Sequence, residues 1–281
     1  MKNIKQPLIR TALFALALLS AACDSTPTAE ICVSIPPQAY LVKRIAGEST
    51  PVTVMIPPGS APPTYAPSAS QIRDLHECKL YVLNGHPDFH FEAMHINPFL
   101  KGHPEVLTVS MADSADLMRG DSHIWLSPAI MRAAAGKIVK KLCLLYPGRQ
   151  DELNENYRLL IRDIDDLDVE LRGVFASLQG AKFMTLHPSW GYFSREYGLQ
   201  QVSIHHENKA PAAQELAELI EQAKADSIRI LFIQKEFSFE QLSVISQEID
   251  ASIIPLDPLN ESWLENLRQT GRIFQKAMNE H

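Results

Sequence analysis

The sequence predicts an α/β protein: two βα lobes with parallel sheets, joined by one long backbone helix. Three observations carry this. Short β-rich apolar runs alternate with helical patterns along most of the chain, the signature of βαβ units and parallel strands. The alternation breaks once, over 151–178, for an amphipathic stretch of about 28 residues that would reach about 40 Å as a helix. It then restarts. With 281 residues the chain is long enough for two lobes with cores of their own.

Taken in order, Lys2, Lys5 and Arg10 flank an apolar run over 12–19, and the small residues Ser20, Ala21 and Ala22 precede Cys23. This is the layout of a secretory signal over 1–22, too short in its apolar part to span a bilayer as a permanent helix. Residues 23–30 are polar and read as a tether. The first lobe is expected over 31–149, with strands at 31–35, 51–56, 79–85 and 105–110. Helices are expected near 39–46 and over 127–145, and the loop PPGSAPPTYAPS follows the second strand. The linking helix is assigned to 150–178. Its apolar residues Leu160, Ile164, Leu167, Leu171 and Val174 recur every three or four positions. A helix of that length outruns a small lobe, so it should reach from one to the other. The second lobe, 179–281, should hold strands at 181–187, 200–204, 229–234 and 251–257, with helices near 212–225, 239–249 and 263–278.

Composition narrows the function. At 46% hydrophobic and 21% charged the chain is ordinarily globular, and its net charge of −7 argues against a nucleic-acid partner. Cys23 after small residues resembles a bacterial lipobox, although Ser20 stands where leucine is usual. The resemblance implies that Cys23 is lipidated, and Asp24 resembles a retention signal for the inner membrane. An oxidising compartment permits a bridge between Cys32 and Cys78, but buried thiols at Cys32, Cys78 and Cys143 are the preferred reading.

Ten histidines make imidazole the obvious metal donor. His123 lies in DSHIWLSP before a helix, His187 ends a strand, and Asp257 ends another. Ligands of open parallel sheets bind beyond the carboxyl ends of strands, so these positions are physically sensible. Two imidazoles and a carboxylate suit zinc, with manganese or iron behind it. No local spacing forces the three together.

The segments PPGSAPPTYAPSASQI, DSHIWLSP, TLHPSWGYFSREYGL and IIPLDPL resemble, in order and separation, the ligand motifs of the ZnuA-like (TroA-like) solute-binding lipoproteins of zinc and manganese ABC importers. The likeness covers nearly all of the chain after the signal. It implies His123, His187 and Asp257 as metal ligands, an ABC importer permease as partner, and a monomer held by Cys23 to membrane lipid on the periplasmic side. Manganese-type members generally carry glutamate where this chain has His187, so the resemblance favours zinc.

Two departures matter. The family's first histidine falls at position 63, where this chain has Pro63, which has no donor atom. The long His- and Asp-rich loop of many zinc members is also missing; only ADLMRGD stands there. Among His86, His90 and His95, His86 is the first substitute by topology, because it directly follows a strand end. His205 and His206, at another strand end, are a further source. No enzyme is expected, since neither HExxH nor GxSxG is present. The alternatives are a degenerate lipoprotein or adhesin on the same fold, or a metallohydrolase that would need a further carboxylate such as Glu92 or Glu236.

Overall fold

The computed structural model describes residues 30–113, 115–205, 211–234 and 239–279. The expected signal and Cys23 lie outside these residues, as do His206 and Glu236. Among the described residues eight strands build two sheets, and every pairing is parallel. In the first lobe β1 (Ile31–Val33), β2 (Val52–Val54), β3 (Leu80–Leu83) and β4 (Leu107–Ser110) lie in the order β2-β1-β3-β4. In the second, β5 (Lys182–Thr185), β6 (Gln200–Ser203), β7 (Ile230–Ile233) and β8 (Ser252–Pro255) repeat that order as β6-β5-β7-β8. Strands β1 and β7 are buried along their whole length, as expected when helices cover both faces of a sheet.

The helices are α1 (Pro36–Ala46), α2 (Ala69–His76), α3 (Asn97–Gly102), α4 (Pro128–Leu145), α5 (Gln150–Phe175), α6 (Gly191–Tyr197), α7 (Ala213–Ala225), α8 (Glu240–Ile249) and α9 (Trp263–Asn279). The spine α5 has 26 residues, about 39 Å of rise, and stops three residues short of the expected end, where the chain turns through Gly180 at φ 76°. It buries Leu153, Leu160, Ile164, Leu167, Leu171 and Phe175. That stripe packs on α1 and α4 of the first lobe and on the closing helix α9. Flanking ion pairs repeat the division: Arg44 meets Asp163 at 2.6 Å, and Arg268 meets Glu170 at 2.7 Å.

Each strand is shorter than its apolar run because the last residues of the run leave the ladder and become the loops at the carboxyl edge. In both sheets the strand order reverses between the first and third strands, the switch point beyond which ligands of open α/β sheets bind. Ser34 and Asn84 follow that edge in the first lobe, and His187 in the second. The short helices α2, α3 and α6 were not anticipated. Cys32 and Cys78 are buried free thiols and Cys143 is half-buried. Among the described residues no helix is long and apolar enough to cross a membrane.

Candidate metal centre

His187 stands two residues beyond β5, at the switch point of its sheet, and His123 approaches it from the other lobe. Their ring centroids are 5.1 Å apart, edge to face. Burial first, and then the neighbouring His123 ring, hold His187 at a pKa of about 3; Asp121 opposes the drop and His205 adds to it. At neutral pH this imidazole is uncharged and keeps a lone pair. His123 is oriented by Asp121, whose Oδ1 accepts from the His123 backbone N–H at 2.9 Å and from its Nδ1 at 2.8 Å. A carboxylate only accepts, so Nδ1 carries the proton and Nε2 presents the lone pair.

Residues 115–127 form a strap that leaves the first lobe and docks on the second. Asn84 Nδ2, at the first lobe's switch point, donates to the Ser122 carbonyl at 3.0 Å. Asp121 Oδ2 accepts from the Gly191 N–H at 3.1 Å, at the start of α6. A Cβ on Gly191 would fall 2.4 Å from that oxygen, so only glycine permits the contact. The Met118 N–H donates to the Tyr192 hydroxyl at 2.7 Å. Trp125 Nε1 donates to the Pro258 carbonyl at 2.6 Å, and Trp263 Nε1 donates to the Trp125 carbonyl at 2.7 Å. Ser127 closes the strap by donating to Glu196. Trp125, Tyr192 and Trp263 thus carry bonds between the lobes.

Asp257 lies two residues beyond β8, beside Pro258, where Trp125 is anchored. Its Oδ1 accepts from the Leu259 N–H at 3.0 Å. Strand β7 separates β8 from β5, so Asp257 starts about 10 Å, two strand spacings, from His187. Among the described residues no three His, Cys, Asp or Glu side chains converge closely enough to hold an ion. The assembled part of the centre is the His123–His187 pair.

His86, the substitute expected from its position, turns its ring to backbone groups. Its Nδ1 accepts from the Asp88 N–H at 3.0 Å, and its Nε2 lies 3.1 Å from the Met118 carbonyl, to which it donates. Both ring nitrogens are spent on backbone, and the residue is 5% exposed. His86 is a strut under the strap. Glu92 is likewise committed: buried in the first lobe, it accepts from Ser34 Oγ, from the Asn84 N–H at 2.6 Å and from the Gly85 N–H at 2.8 Å. A cavity of about 420 Å³ opens on the flank between Ile130, Arg172, Arg195 and Glu196, but none of the candidate ligands lines it.

The family model for the periplasmic zinc-uptake complex component A, ZnuA, matches residues 31–277. The chain belongs to this family. A relative is the high-affinity zinc uptake system protein ZnuA of Bacillus subtilis (strain 168), 24% identical over 273 residues that cover 86% of this chain and 85% of the relative. The zinc-binding protein TroA of Treponema pallidum (strain Nichols) is 28% identical over 246 residues, covering 82% and 77%. A crystal structure of ZnuA superposes with a TM-score of 0.81 at 33% identity, covering 88% of this chain and 98% of that one. A ZnuA deletion mutant with zinc bound superposes at 0.80 and 34% identity, covering 88% and 96%. The expected family and fold of two parallel-sheet lobes on a long helix are therefore found. What the motifs did not reveal is the role of Asp121 and Gly191. The signal was present as a short acceptor two residues before His123, but its second partner lies 70 residues away.

Proposed function

We propose that this protein captures a zinc ion outside the cytoplasm and hands it to an ABC importer. The observation that carries this reading is the His123–His187 pair: two imidazoles from different lobes, one oriented by a buried carboxylate. Such a pair suits a borderline cation better than the harder manganese, which prefers oxygen. His123 offers Nε2, His187 offers its lone pair without first shedding a proton, and Asp257 supplies the anionic ligand from the edge of the second sheet. The reading is of a receptor: Glu92, the first-lobe carboxylate that a hydrolase would have drawn on, already accepts from three donors. Lipidation at Cys23 would hold the receptor, as a monomer, beside the permease on the periplasmic face of the inner membrane.

Equilibrium dialysis with metal analysis tests the reading. Wild type should take up one zinc per chain, and His187→Ala should lose it. Equal uptake by both proteins would end the proposal.

A further inference from the structure

We propose that His205 is a zinc ligand, standing in register beside His187 at the carboxyl edge of the second sheet and supplying the imidazole that Pro63 cannot. This rests on the zinc-receptor reading and names the residue that completes its site.

The argument is one of register. Strands β5 and β6 are parallel neighbours, with Lys182 opposite Gln200 and Thr185 opposite Ser203. The ladder continues past the formal strand ends, because the Ile204 N–H donates to the Thr185 carbonyl at 2.9 Å and the His205 N–H donates to the Leu186 carbonyl at 2.8 Å. In a parallel ladder this places His205 directly opposite His187, as the Gln200 N–H to Ala181 bond places Gln200 opposite Lys182. Paired residues in neighbouring strands lie about 5 Å apart and project to the same side of the sheet. The two histidines therefore emerge side by side at the carboxyl edge, whereas Asp257 begins two strands away. Both rings are half-buried. Burial lowers the His205 pKa as well, so it too is biased toward the neutral, ligating form.

The chemistry asks for such a group. Zinc in a closed protein site takes four ligands, and His123, His187 and Asp257 supply three. With position 63 mute, the fourth would otherwise be water. A ligand at His205 moves the missing nitrogen from the first lobe to the second, so that three ligands come from the second sheet and His123 alone crosses from the strap. Within that set His187 and His205 stand on adjacent strands, and Asp257 reaches in from two strands away.

Zinc affinity by chelator competition separates the outcomes, measured on wild type, His205→Ala and His206→Ala, with melting curves to establish folding. The expected result is that His205→Ala weakens zinc binding at least about 100-fold, beyond what loss of an outer-shell partner costs, while His206→Ala leaves it unchanged. Undiminished affinity in His205→Ala, or a loss confined to His206→Ala, overturns the proposal. If the alanine variant fails to fold, X-ray absorption of zinc-loaded wild type decides instead: three imidazoles support His205, and two refute it. A wild type that binds no zinc at all would refute the receptor reading, a separate result.

Discussion

The chemistry of His123 is set by a residue that binds nothing itself. Asp121 is 5% exposed and spends one oxygen on the His123 Nδ1 and the other on the Gly191 N–H. Removing it frees the imidazole to rotate and to place its proton on the wrong nitrogen, and it also breaks a link between lobes. Asp121→Ala should therefore lower zinc affinity by about 10- to 100-fold, the range for partners that orient metal-binding histidines. Isothermal titration checks this, and unaltered affinity would show that His123 is held by other means. His86 illustrates the opposite lesson. Its place after a strand end suggested a ligand, yet two backbone groups claim its ring. Position in sequence told where the histidine begins, but only the partners tell what it does.

At the scale of elements, the first lobe's switch point is organised around a buried acid. Glu92 receives Ser34, Asn84 and Gly85, and Asn84 in turn holds the strap at Ser122. Burial raises the Glu92 pKa to about 7, outweighing the three donors that pull it down. Below pH 4.5 the carboxyl is protonated in both folded and unfolded chains. As pH rises toward 7 the unfolded chain ionises first, so the folded state loses stability, by something on the order of 3 kcal/mol in all. Above pH 7 both forms are ionised and the loss is constant. Urea unfolding of wild type and Glu92→Gln from pH 4.5 to 8 isolates the effect, because the variant cannot titrate. The stability of wild type relative to the variant should fall up to pH 7 and then level. A flat difference throughout would mean that Glu92 titrates normally.

Across the whole molecule, the lobes are tied by more than the spine. The strap bonds to α6, to the loop before α9 and to Trp263 at the start of α9, while α5 packs on helices of both halves. Buried hydrogen bonds of this kind cost roughly 1–3 kcal/mol each if one partner is left unsatisfied, so a wide hinge opening is penalised several times over. Small-angle scattering of metal-free and zinc-loaded protein should therefore superimpose. A contraction on loading would show that the lobes hinge as rigid bodies and that the strap yields.

The sequence by itself determined the two-lobe architecture, all eight strands and the spine, because buried strands and an amphipathic helix are written in local apolar periodicity. Leu160, Ile164, Leu167 and Leu171 recur at the helical repeat and are all buried. Motif resemblance likewise singled out His123 and His187, whose rings meet across the lobes. Short helices such as α6 escaped because a seven-residue segment shows too little of its period. The tertiary structure alone decided that Asp121 orients His123, that His86 is a strut, and that His205 lies opposite His187. Each of these depends on which strands and loops become neighbours. The partners that fix them, Gly191 for Asp121 and Met118 for His86, lie 70 and 32 positions away, and hydrogen bonds over such distances leave no periodic trace in the chain.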